Sequence, residues 1–237
     1  MQIAFVTYPG LTALDLIGPY EALRTIPHAE VRFVWHEIGP ITTDSGVLVL
    51  GATHTLAETP HPDIVLVPGS GVSTPSTARD AVLQNWLRTA HETSTWTLSV
   101  CSGSVILAAA GLLDGKPATS HWQALDLLRP FGARPQGDSR IVRAGKIVTS
   151  AGVSAGIDLG LFLLGEIAGR SYAEAVQLSL EYDPQPPFDS GHTSKASLKT
   201  KALAYKLMAR QGIFRPAELA AATRLAWDAC LARVRQP

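Results

Sequence analysis

Cysteine is scarce in this 237-residue chain, which holds only Cys101 and Cys230. Two cysteines are too few for a disulfide framework or a cysteine-rich metal site. Net charge is missing too: 20 Lys and Arg balance 20 Asp and Glu. That balance argues against a uniformly basic nucleic-acid binder. No run of about 18 apolar residues occurs, so nothing reads as a membrane span. The seven histidines (His28, His36, His54, His61, His91, His121 and His192) form no HxH or HxxxH pair. Neither a metal nor another cofactor is therefore expected. The opening MQIAFVTYPG lacks the basic stretch and cleavage site of a secretory leader and reads as a first strand. The expectation is a cytoplasmic protein with no membrane partner.

What is present is a regular alternation. Near-continuous apolar runs predict strands at Ile3–Thr7, Val31–Glu37, Ile64–Val67 and Trp96–Val100, with shorter ones at Val47–Leu50 and Ile147–Thr149. Such runs suit parallel strands buried on both faces. Helical stretches fall between and after them, at Ala13–Thr25, Thr77–Glu92, Ser104–Ala110, Gln123–Leu128 and Ser154–Ile167. Arg140–Val142 and Lys146–Thr149, joined by Arg143-Ala144-Gly145, read as a small hairpin. The pattern predicts a doubly wound α/β sheet with helices on both faces. After Tyr172 only helices follow: Tyr172–Glu181, then a proline-rich stretch to Phe188, then Ala196–Gln211 and Pro216–Arg233. The division is an α/β domain over 1–188 and a helical C-terminal arm over 189–237. From Lys195 onward nine basic residues meet two acidic ones. That excess fits either an anionic partner or a solvated arm on an acidic body.

In an open parallel sheet, ligands bind at the carboxyl ends of strands, where the strand order reverses. Three segments converge there. Cys101 ends an apolar strand and is followed by small residues and a helix, the pattern of a nucleophile elbow. A helix N-terminus would favour thiolate over thiol; a buried, inert cysteine is the other reading. Asp15, flanked by Leu14, Leu16 and Ile17, is either an acid/base partner for Cys101 or a carboxylate stabilising the helix start. Gly69-Ser70-Gly71 fails the dinucleotide fingerprint, since Thr74 stands where the third glycine belongs. Gly71 reads either as a backbone donor facing the sulfur or as part of a tight turn. His121 is open between a second base and a structural histidine, and Asp158 reads as structural.

Together these residues resemble the ThiJ/PfpI superfamily. The resemblance is carried by Pro9-Gly10, Leu14-Asp15-Leu16-Ile17-Gly18-Pro19, Val67-Pro68-Gly69, Val100-Cys101-Ser102-Gly103-Ser104, Ala118-Thr119-Ser120-His121-Trp122 and Thr149 to Asp158. It implies a flavodoxin-like fold related to class I glutamine amidotransferases. Val176 to Tyr182, followed by Pro184-Gln185-Pro186-Pro187-Phe188, is similar to the isonitrile hydratase branch. That branch implies a dimeric lyase hydrating an isonitrile to a formamide, with Cys101 as nucleophile and Asp15 as acid/base. Ser102 stands where those enzymes tend to carry Thr, and keeps a hydroxyl for Asp15 or substrate. Ser102 also stands where protease-like members carry His, which disfavours a peptidase. Gly71 and Ser102 would give N–H groups to the sulfur. The turn at Gly152 and Val153 with its following helix would form one pocket wall, and His121 and Trp122 would add to the site. The competing functions are a glyoxalase- or deglycase-like enzyme acting on 2-oxoaldehydes, a redox sensor, and a relative of AraC-type regulators. The last lacks room for its DNA-binding pair in the 43 residues after Ser194.

Overall fold

The computed structural model describes residues 1–208 and 216–234. The chain begins with β1 (Gln2–Val6), α1 (Ala13–Leu23) and β2 (Glu30–Trp35). A hairpin of β3 (Gly39–Thr42) and β4 (Val49–Ala52) follows, then β5 (His54–Thr55) and β6 (Ile64–Val67). The short α2 (Thr74–Thr77) leads into α3 (Ala81–Thr93), β7 (Trp96–Val100) and α4 (Gly103–Ala109). Beyond β8 (Pro117–Ala118) come a 3-10 helix (Leu125–Phe131) and β9 (Arg134–Pro135). The hairpin β10 (Ile141–Ala144) and β11 (Ile147–Ser150) precedes α5 (Ala155–Ala168) and α6 (Arg170–Ser179). The arm carries α7 (Leu198–Met208) and α8 (Pro216–Val234).

Seven strands form the main sheet in the order β10-β11-β7-β6-β1-β2-β5. All neighbours run parallel except β10 and β11. Strands β6, β7 and β11 are buried along their whole length, as near-continuous Val, Ile and Leu require when helices cover both faces. The chain moves from β1 outward to β2, then returns to β6 on the other side of β1. The strand order therefore reverses between β1 and β6, and their carboxyl ends open a crevice. The residues after β1, β6 and β7 all enter it.

The doubly wound sheet is as expected, with several boundary differences. The helix read over Thr77–Glu92 begins at Ala81, because Asp80 caps its start by accepting from the Leu83 N–H at 2.9 Å, and Thr77 is the last residue of the separate α2. Gln123–Leu128 is a 3-10 turn displaced to Leu125–Phe131, where Pro130 cannot support an α-helical ladder. In the β10–β11 hairpin Ala144 pairs with Ile147, so the turn lies at Gly145 and Lys146. Gly145 has φ +65° there, which only glycine adopts freely. The arm helix read as reaching Gln211 ends its described part at Met208; Gln211 lies outside the described residues.

The arm is not detached from the sheet domain. Ala221, Leu225 and Ala229 of α8 are buried at spacings of four residues, the stripe by which a helix packs on a neighbour. That neighbour is α2 together with the 3-10 helix. Tyr205 of α7 meets Trp122 edge-on, with ring centroids 4.8 Å apart.

Candidate active site

Cys101 follows β7 directly and has φ +58°. For a residue with a Cβ this left-handed conformation costs about 1–3 kcal/mol and persists only where surroundings enforce it. The enforcement is visible. The Cys101 N–H donates to the Ser150 and Ala151 carbonyls, at 3.2 and 3.1 Å. Its own carbonyl accepts from Ser104 Oγ at 3.2 Å and from Ser120 Oγ at 3.0 Å. The side chain is thereby thrown off the sheet, and the backbone N–H groups of Ser102 and Val153 face the sulfur.

Asp15 lies in the first turn of α1 and has no exposed surface. Its Oδ2 accepts from the Gly69 N–H at 2.9 Å. Oδ1 has no conventional hydrogen-bond partner among the described residues, which is costly for a buried polar atom. Burial, the largest cause, raises the carboxyl to about 7, while the Gly69 and Cys101 contacts pull it down. Burial, followed by the neighbouring Asp15 charge, also pushes the Cys101 thiol far above its ordinary value. On the sulfur, desolvation thus outweighs the two backbone donors that favour the thiolate.

Gly69 is the close-packed joint of the site. A Cβ there would stand 2.6 Å from Ser102 N and 2.8 Å from Asp15 Oδ2. Pro68 is fixed from below by the fully buried Tyr8, whose hydroxyl donates to the Pro68 carbonyl at 3.0 Å. The Ser102 hydroxyl engages the β6 loop: its Oγ accepts from Ser70 N at 3.1 Å and lies 2.7 Å from Thr74 Oγ1. The bond to Asp15 considered for that hydroxyl is not formed.

A cavity of about 340 Å³ opens over the sulfur. Cys101, Ser102, Ser70, Gly71, Thr74 and His121 line its floor and sides, and Val153 reaches it as well. Gly71 therefore borders the cavity, while the N–H groups on the sulfur are those of Ser102 and Val153. Burial lowers the His121 pKa and favours the neutral ring. Gly152 sits behind that ring, where a Cβ would come within 2.4 Å of His121 Cδ2. Trp122 is not among the lining residues; it packs on His121 and Tyr205 instead. The wall expected from α5 is reduced to Val153, and the 3-10 helix and α8 supply apolar wall in its place. Asp158 pairs with Arg140 and accepts from the Tyr182 hydroxyl at 2.9 Å. Among the described residues no three His, Cys, Asp or Glu side chains gather as a metal site. No described helix is long and apolar enough to cross a membrane.

Gly69, Ser104 and Ser120 are the functional neighbours that pattern reading missed. Val67-Pro68-Gly69 is visible as a turn motif, but the N–H that it supplies is that of Gly69, to Asp15, and not that of Gly71 to the sulfur. Nothing local marks Ser120, whose partner lies 19 residues away.

Residues 1–166 match the model of the DJ-1/PfpI family. The chain is 42% identical to the isonitrile hydratase of Pseudomonas putida over 196 residues, covering 83% of this chain and 85% of that one. It is 30% identical over 185 residues to the HTH-type transcriptional regulator CdhR of Pseudomonas aeruginosa, covering 75% of this chain and 53% of the regulator. A ThiJ/PfpI family protein from Pseudomonas syringae superposes with a TM-score of 0.86 at 37% identity, over 95% of this chain and 90% of that one. Drosophila melanogaster DJ-1beta shares the fold, with a TM-score of 0.69 at 19% identity over 76% of this chain and 97% of its own. With the elbow cysteine, the buried acid and these matches in hand, the chain belongs to the DJ-1/PfpI family.

Proposed function

We propose that this protein is an isonitrile hydratase, converting R–N≡C and water to the formamide R–NH–CHO. One observation carries the reading: a fully buried carboxyl raised to about 7 lies against a buried thiol on a strained elbow. The kinship to the Pseudomonas putida enzyme supplies the substrate class. A terminal isonitrile carbon accepts both a nucleophile and a proton, and this pair holds one of each.

In the reactive pair one proton is shared between Cys101 and Asp15. The sulfur attacks the terminal carbon while Asp15 delivers that proton to the same carbon, leaving the thioimidate R–N=CH–S. The Ser102 and Val153 N–H groups steady charge on the sulfur as its proton departs. Asp15, now a carboxylate, takes a proton from water as the oxygen adds to carbon and passes it to the nitrogen. The resulting R–NH–CH(OH)–S adduct collapses to formamide: the hydroxyl proton goes to Asp15 as the C–S bond breaks, so Cys101 and Asp15 again share one proton. Ser102 and Thr74 hold the β6 loop that presents Gly69 to the acid. His121, whose neutral ring burial favours, lines the same cavity as Cys101 and borders the substrate.

The test is formamide production from cyclohexyl isonitrile by wild type, Cys101→Ala and Asp15→Asn. Cys101→Ala is expected to abolish turnover, and Asp15→Asn to lower kcat by at least about 100-fold, the scale of general acid–base catalysis. Undiminished turnover by Cys101→Ala, or none by wild type across several isonitriles, overturns the reading. The family resemblance also supports a homodimer, which light scattering on the purified chain would reveal.

A further inference from the structure

Of the reactive pair Cys101 lines the cavity, while the fully buried Asp15 is not among its lining residues. Much of the remaining wall is apolar and comes from elements outside the central sheet. Leu127 and Phe131 come from the 3-10 helix, while Ala222, Leu225 and Ala226 come from α8 of the arm. Helix α8 is held in this position by its buried stripe Ala221, Leu225 and Ala229 against α2 and the 3-10 helix. A longer-range ion pair adds to this, with Arg79 and Asp228 at 4.0 Å. Two alanines one turn apart, Ala222 and Ala226, face the open volume. Small side chains at both positions leave space that a leucine would fill.

We propose that α8 is the specificity wall of the active site, limiting the size of the group that the reacting carbon carries. This rests on the hydratase reading for the reacting group, while the wall itself rests on the cavity alone. The lining near the β6 and β7 loops includes Ser70, Thr74 and Cys101, with Thr12, Asp44 and Gln123 adding further polar groups. The 3-10 helix and α8 offer methyl, isobutyl and phenyl surface to whatever the carbon carries. At about 340 Å³ the cavity falls at the lower end of the roughly 300–1,000 Å³ of small-molecule sites. Ala222, Leu225 and Ala226 are the α8 side chains that bound it.

The test uses the full-length protein and two maleimides differing only in size, N-methyl and N-cyclohexyl. Labelling at Cys101 is followed by peptide mass spectrometry, which separates it from Cys230. Ala226→Leu is expected to lower the cyclohexyl-to-methyl rate ratio at least tenfold, and Leu225→Ala to raise it. Ala222→Leu replaces Ala226→Leu if the latter does not fold. The same variants are then assayed for turnover of cyclohexyl and methyl isonitrile, where the kcat/KM ratio should move in parallel. A maleimide ratio within twofold of wild type in every folded variant overturns the wall. So does failure of the cyclohexyl reagent to label the wild type. If the maleimide ratio shifts but no isonitrile is consumed, the wall stands and the hydratase reading falls.

Discussion

Asp15 lies in the first turn of α1, three residues past the N-cap Thr12, and its carboxyl is fully buried there. Burial raises that carboxyl to about 7 from 3.8, against the one backbone N–H that Oδ2 accepts, and Oδ1 finds no conventional partner among the described residues. Between those values the native chain keeps a proton that the unfolded chain has released. Stability therefore falls as pH rises through that window and levels off above it. From pH 5 to pH 8 the loss is about 2–3 kcal/mol at about 1.4 kcal/mol per pKa unit. Asp15→Asn removes the titration, so its Tm should gain on wild type by several degrees between those pH values. Parallel Tm curves would show that the acid is not perturbed. Activity moves the other way. Only the pair that has lost one proton can react, so kcat/KM should rise with pH with a midpoint near 7; a profile flat from pH 5 to 8 would exclude the shared proton. Cys101 and Asp15 were legible in sequence because each is chemically out of place in its neighbourhood, a thiol at a strand end and an acid among aliphatics. Gly69 and Ser120 were not, since their roles lie in contacts across 54 and 19 residues.

At the scale of elements, the site depends on how closely α1 approaches α5. Gly156 and Gly160 make that approach: a Cβ at Gly160 would lie 3.0 Å from both Pro19 Cα and Ala22 Cβ. Pro19 cannot donate to the Asp15 carbonyl one turn earlier, so α1 relies on this packing more than on its own ladder. Gly160→Ala should cost about 1–3 kcal/mol, the usual penalty for forcing atoms into a packed interface, and should lower kcat by tilting Asp15 away from Cys101. Denaturant unfolding and steady-state kinetics on the same variant check both, and an unchanged midpoint would show that the interface yields easily. The central strands were readable because burial on both faces leaves a continuous apolar run. The β3–β4 hairpin was only half readable. Pro40 and Gly39 obscure β3, and the exposed Val47 and Val49 mimic a buried strand.

For the whole molecule, the arm is tied to the domain unevenly, and its exchange behaviour should follow that unevenness. Strands β1, β6 and β7 lie at the centre of seven and are almost wholly buried, whereas α7 contributes no buried residue. Local opening draws on the regions with fewest buried contacts. Amides of α7 should therefore exchange at least about 100-fold faster than those of β7 by hydrogen-exchange mass spectrometry, a gap of about 3 kcal/mol in opening free energy. Helix α8 is the informative case, because its packing stripe and its cavity face belong to the same few turns. Its basic residues say nothing of this, since the charge excess that suggested an anionic partner lies along the arm as a whole. The alanine-rich stripe, weakly amphipathic by sequence, becomes meaningful only beside α2 and the 3-10 helix. A cyclohexyl group tethered to Cys101 would fill the cavity beneath α8 and add apolar contacts that the open state loses. Exchange in α8 should then slow severalfold while β2 and β5, at one end of the sheet and outside the cavity lining, keep their rates. Equal slowing everywhere would instead mean that the label stabilises the fold globally, and no slowing in α8 would mean that the arm does not roof the site.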